Sequence, residues 1–216
     1  MAGQFNTADD NSFFGYAAGD STTIGWVNSF FGSESGKANK AGINNSFFGR
    51  SSGFRNTTGQ TNSFLDSAAG KNNITGFSNS FLGAEAGKNN TMGSANSFDG
   101  VASGLENTTG NSNSFLGRDS GFSNTTGNYN SFVGGSSGFS NTTGNYNSFL
   151  GRSSGASNTT GSFNVAIGYT AGPERDDVDS TIYLIYQYLL GIVSKSTFVF
   201  LNFTQQSGAF IKCIPG

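Results

Sequence analysis

The sequence predicts an all-β fold, a parallel β-solenoid of ten coils with 17 residues in each. Three observations carry this reading. The Asn that opens an Asn-Ser-Phe triplet falls at Asn11, Asn28, Asn45, Asn62, Asn79, Asn96, Asn113, Asn130 and Asn147, and Asn164 opens a tenth, variant triplet, so the 17-residue step never slips. Gly recurs in three columns, Gly19 to Gly172, Gly25 to Gly161, and Gly15 to Gly168 with Asp66 as the one interruption. No Pro lies between Gly15 and Gly172, as expected of coils that must all donate ladder N–H groups.

A 17-residue unit is too short for the helix-pair repeats. Three Gly per repeat, with Thr and Asn between them, also argue against helix. Short extended segments separated by Gly corners fit instead. With the opening Asn as position 1, the consensus N-S-F-[F/L]-G-x-x-[A/S]-G-x-x-N-T-T-G-x-x gives one strand at N-S-F-F and a second at x-N-T-T. The Gly columns become corners that need positive φ or close chain approach. Ten coils at a strand spacing of about 4.8 Å make a rod about 50 Å long.

Residues 1–10 form a degenerate N-terminal half repeat, in which Ala2-Gly3-Gln4-Phe5-Asn6-Thr7 echoes the array one residue out of register. Residues 11–172 are the array itself. Strict register stacks identical side chains, so the Asn of position 1 and the Asn of position 12 (Asn39, Asn56, Asn73 and onward to Asn158) each form a column. Two readings of these columns stay open. Stacked amides can hydrogen-bond along the axis, or Asn can simply tolerate a turn conformation. Residues 173–180 form an acidic linker, and residues 181–216 are apolar. That last segment is read as a cap on the final coil or as an unstructured tail. A cap would take the form of a helix or hairpin over the Ile167 end. Thr181 to Val193 is too short for a membrane-spanning helix, so a membrane contact is not expected of this chain.

Positions 3 and 4 are adjacent, so on a strand they point to opposite faces. Position 3 is Phe13, Phe30, Phe47, Phe64, Phe81, Phe98, Phe115, Phe132 and Phe149, and then Ala166. Position 4 is apolar in every coil except at Asp99. One column can fill the coil, and the other must face out. Nine outward Phe would leave on the order of 700–1,000 Å² of apolar stripe, more than a typical monomer exposes. Covering it would stabilise an assembly by roughly 15–25 kcal/mol per chain before ordering costs. The nine Phe are therefore read as an oligomer interface or a core ladder. A coil wide enough to hold both columns is the alternative.

The chemistry of the composition excludes several classes. With 11 basic and 13 acidic residues the net charge is −2, which is not the basic footprint of a nucleic-acid binder. There is no His to act as general base or metal ligand, and a single Cys rules out an internal disulfide framework. No phosphate-cradling Gly-Lys-Ser/Thr motif and no nucleophile elbow occurs. No catalytic, cofactor or metal site is expected.

The units Asn164-Val-Ala-Ile-Gly-Tyr-Thr-Ala-Gly and Asn141-Thr-Thr-Gly-Asn-Tyr-Asn-Ser-Phe resemble the head repeats of YadA-like trimeric autotransporter adhesins. Similar arrays occur in phage-type tail fibres, whose spacing matches more closely; the adhesin repeat is usually shorter and has small or aliphatic residues in place of Phe. The resemblance covers residues 11–172. It implies a left-handed β-roll, three chains side by side, and an adhesive or spacer role in an extracellular fibre, on a cell surface or a virion-like tail. The implied partners are further copies of the chain, in a homotrimer, and a host-surface receptor or glycan.

Exposed variation concentrates at positions 6–7 and 16–17, so Arg50, Arg118, Arg152, Tyr129 and Tyr146 are the candidate ligand surface. The alternative function is ice binding through the Thr pairs of positions 13 and 14. Adjacent Thr residues point to opposite faces, so one Thr column at most is outward, and it fails at Lys40, Ala41, Ile74 and Met92.

Overall fold

The computed structural model describes residues 1–173, 178–187, 196–202 and 210–214. Ten three-residue strands repeat with the sequence period: β1 Ser12–Phe14, β2 Ser29–Phe31, β3 Ser46–Phe48, β4 Ser63–Leu65, β5 Ser80–Leu82, β6 Ser97–Asp99, β7 Ser114–Leu116, β8 Ser131–Val133, β9 Ser148–Leu150 and β10 Val165–Ile167. Each pairs in parallel with its copy one coil on, and residues 17 apart face each other, as in Phe47↔Phe64. The fold is a parallel β-solenoid.

The second expected strand does not form. Along x-N-T-T the N–H groups of Thr57, Thr58 and Gly59 all donate to the single carbonyl of Ile74, at 3.0, 3.2 and 3.3 Å. A strand would alternate its donors between two sides. Here the position-12 amide bends the chain, since Asn56 Nδ2 donates to Gly59 O three residues on, at 3.0 Å. The coils still bond to one another at this corner, but as stacked turns.

The Phe column of position 3 lies inside. Phe30 to Phe149 are fully buried, and Phe13 packs half-buried at the end of the cluster. Successive rings stack with centroids 4.8 Å apart and nearly parallel from Phe30 onward. Each ring also lies on the position-9 Gly of its own coil. At Gly53, with φ +56°, a Cβ would overlap the Phe47 ring, so both the conformation and the space require Gly. The outward stripe is therefore the position-4 column, and the assignment of the nine Phe resolves to the core ladder. The physical reason is the strand's two-residue alternation combined with the room that the small, buried residues of position 8 and the Gly of position 9 leave inside the coil.

Both Asn columns are buried and hydrogen-bonded. Asn45 donates its N–H and its Nδ2 to Asn28 Oδ1, at 3.0 and 3.1 Å, and gives its other amide hydrogen to Gly59 O at 2.8 Å. Asn56 Nδ2 reaches Asn39 Oδ1 at 2.9 Å. The amide-ladder reading holds.

The N-terminal half repeat packs on the first coil. Gly3 N–H donates to Ala18 O at 2.8 Å, and Thr7 Oγ1 donates to Thr23 O at 2.7 Å, an offset of 16 where the array uses 17. At the other end the period continues beyond Gly172. Ser162 N–H donates to Asp179 Oδ1, Thr181 N–H donates to Asn164 Oδ1, and β11 (Thr181–Gln187) pairs in parallel with β10. Tyr183 takes position 3, where burial pushes its phenol above the ordinary tyrosine value. β12 (Ser196–Asn202) and β13 (Phe210–Ile214) then add antiparallel strands to the same sheet. Residues 174–177, the charged part of the expected linker, lie outside the described residues.

Two positions break the pattern and generate predictions. Thr22 occupies position 12, and its buried hydroxyl has no partner. Thr22→Asn extends the amide ladder by one rung and raises stability by about 1 kcal/mol, seen as a higher urea midpoint. Asp66 holds φ +101° in a column where Gly adopts φ near +130°. Asp66→Gly relieves that strain by about 1 kcal/mol, and an unchanged melting temperature would contradict the strain.

Candidate functional site

The outer surface is built from the columns that the ladders leave free. On the strand face, Ser at position 2 and the apolar residue at position 4 point outward. Phe31, Phe48, Leu65, Leu82, Leu116, Leu150 and Ile167 are exposed, and Phe31 stacks on Phe48 with centroids 4.9 Å apart. The stripe runs the length of the rod and is interrupted by exposed Asp99.

Positions 7 and 17 share an unusual backbone. In each coil a non-Gly residue takes φ near +56° at both places, as at Ser51 and Thr61 or at Asp119 and Tyr129. These are left-handed turns that flank the strand segment; the side chains of position 17 are exposed, whereas those of position 7 are mostly buried or half-buried. The sequence finds these columns through their variability, but not through any turn signal, since Tyr, Val and Phe are poor residues for such a conformation.

The predicted ligand residues fall on two separate columns. Arg50, Arg118 and Arg152 share position 6. At the 4.8 Å coil spacing, they stand roughly 19 and 10 Å apart along the axis. They do not converge. Arg118 Nε pairs with Asp119 Oδ2 at 3.1 Å, and the Arg152 guanidinium lies 5.9 Å from the Tyr169 ring centroid. Tyr129 and Tyr146 do come together, with stacked centroids 4.9 Å apart, and Phe163 continues the stack at 5.0 Å. Phe163 is the member that the sequence reading did not single out, although it follows Tyr146 by one period.

Beside the aromatics runs a polar ladder at position 16. Asn111 N–H donates to Asn128 Oδ1 and Asn128 N–H to Asn145 Oδ1, both at 2.8 Å. Sequence reasoning misses it, because Asn occupies that column in three coils only. On the charged side, Lys37 Nζ bonds Glu34 Oε1 at 2.9 Å and holds that half-buried side chain's carboxyl below its usual value.

The two Thr columns differ. At position 13 the hydroxyl donates along the axis, as in Thr108 Oγ1 to Thr125 O at 2.9 Å and Thr125 Oγ1 to Thr142 O at 3.0 Å. Only position 14 is left facing solvent. Among the described residues no three His, Cys, Asp or Glu side chains gather to hold a metal ion, and no helix is long and apolar enough to cross a membrane. No protein-family model matches the chain, and neither a curated protein nor a solved structure matches it.

The hydroxyl geometry gives a paired prediction. Thr125→Val costs about 1 kcal/mol, because it removes a bond between coils. Thr126→Val stays within about 0.5 kcal/mol of the parent, as surface substitutions do. Chemical denaturation of both variants checks the difference, and equal losses would contradict the assignment.

Proposed function

We propose that the chain is a non-enzymatic segment of an extracellular trimeric fibre that works by attachment through repeated surface. The observation that carries this reading is the position-4 stripe. Nine apolar side chains, Phe14 to Ile167, line one face in a straight column, and most are 38–51% exposed. Together they present on the order of 700 Å² of apolar surface, above the largest patch of a typical monomer.

A straight, regularly spaced stripe suits a partner with the same 4.8 Å repeat, and another copy of the chain has it. Three copies that turn these faces toward a common axis leave the exposed residues of positions 6 and 17, such as Arg50, Arg118, Arg152, Tyr129 and Tyr146, free to meet a host-surface receptor or glycan. The resemblance to trimeric adhesin heads and tail fibres supplies the number three and the extracellular setting. The lack of His supports a non-enzymatic role.

Light scattering behind size exclusion tests the assembly. The expected mass is that of three 22.4 kDa chains. The double variant Leu82→Gln, Leu116→Gln joins Asp99 in a polar gap of three coils. It is expected to shift the mass toward one chain while the circular dichroism spectrum is retained. A soluble monomer of the parent chain, or a variant that stays trimeric, would overturn the proposal.

A further inference from the structure

The position-16 ladder begins at Phe77, the N–H groups of Trp26, Ile43 and Gln60 before it having no partner among the described residues, and a cleft opens where it begins. From Phe77 onward the N–H of this position donates to a side-chain oxygen of the next coil: Phe77 to Ser94 Oγ at 3.1 Å, Ser94 to Asn111 Oδ1 at 2.9 Å, and so on to Asp179. One coil earlier the next residue in the column is Phe77 itself, whose ring has no acceptor. The Gln60 N–H has no hydrogen-bond partner among the described residues. Beside it lies a cleft of about 220 Å³, lined by Thr58, Gln60, Thr61, Thr75, Phe77 and Ser78. None of these side chains is charged, and none hydrogen-bonds within the described residues.

Phe77 is 56% exposed. No aromatic ring stacks on it, whereas Tyr129, Tyr146 and Phe163 cover one another's faces. A free ring face carries negative quadrupole density and attracts polarised C–H groups. Around it stand four hydroxyls, one amide that both donates and accepts, and an unsatisfied backbone donor. That set matches a ring with C–H groups on one face and hydroxyls at its edge. The volume lies below that of drug-sized pockets, which fits a single small ring. The lining holds no cation to pair with the charge of a phosphate, a sulfate or a carboxylate.

We propose that this cleft is a subsite for one neutral hexopyranose ring, stacked on Phe77 and hydrogen-bonded by Gln60 and the Thr and Ser hydroxyls. The inference rests on the attachment reading only in naming a ligand class for it. The site is complete on one chain, so it stands whether the rod is monomeric or trimeric, and the mass measurement tests the other claim separately.

Saturation-transfer NMR on the full chain provides the test. The probes are the methyl glycosides of galactose, glucose, mannose and N-acetylglucosamine, each at roughly 10 mM, which suits a millimolar Kd. Transfer to the ring C–H protons of at least one glycoside is expected. Phe77→Asn supplies the missing oxygen to the Gln60 N–H and continues the Asn ladder, so this variant is expected to melt no lower than the parent. It should lose the transfer at least tenfold, while Phe77→Tyr keeps it. Absence of transfer to all four glycosides overturns the proposal. So does transfer that is equal in Phe77→Asn, or a preference for N-acetylneuraminic acid over every neutral probe.

Discussion

One carbonyl in each of the eight coils that open at Asn28 through Asn147 holds the fold. Gly59 O accepts Asn45 Nδ2 at 2.8 Å and Asn56 Nδ2 at 3.0 Å, and both donors belong to the same coil. The two Asn residues stand 14 and three positions before that Gly, so the pair of bonds closes one turn of the solenoid. Their second amide hydrogens go to the Asn of the preceding coil. Closing a coil and stacking it are thus the same interaction. Both hydrogens of each amide are used and both lone pairs of the carbonyl are taken, which is how a buried polar column avoids the cost of an unmet group. The network tolerates no side chain at this Gly, because a Cβ there would overlap Asn56 Oδ1.

The apolar half of the interior depends on that closure. A three-residue strand gives few ladder bonds, and the stacked Phe rings supply what the short sheet lacks. Rings 4.8 Å apart match the strand spacing. Small buried residues at position 8 leave the rings room, and where Ser stands there it donates to the strand of the next coil, as Ser35 Oγ does to Phe47 O at 3.1 Å. Against this rigid inside, the left-handed residues of positions 7 and 17 carry strain that the ladders over-determine. The outer columns can vary because the buried Asn and Phe ladders close each coil without them.

The ends follow the same logic with different residues. The half repeat before Asn11 stacks on the first coil although it is one residue short. Asn11 Nδ2 reaches Asn6 Oδ1 at 3.0 Å, so the amide contact survives the deletion. Beyond the tenth coil, Thr181 takes the bond that an Asn N–H would take, Asp179 serves position 16, and Tyr183 resumes the aromatic column after Ala166. Chemical equivalence, rather than identity, keeps the period going there.

Much of this was legible in the 17-residue step. Identical residues stacked in register make the strand of positions 2–4, the Gly corners and the two Asn columns readable from spacing alone. The opposition of positions 3 and 4 follows from strand alternation, but which one is buried does not. That was decided by the Gly at position 9, against which the Phe rings lie. The second strand at x-N-T-T failed because an Asn side chain three residues from a Gly carbonyl competes with extended pairing. The continuation through Tyr183, the Tyr129–Tyr146–Phe163 stack and the cleft at Phe77 arise between unlike residues in neighbouring coils, where no consensus letter marks them. By itself, then, the sequence determined the period, the parallel register and the residues that stack. Only the tertiary structure decided which faces point inward and where the ladders are interrupted, because those depend on the contacts each coil makes with its particular neighbour.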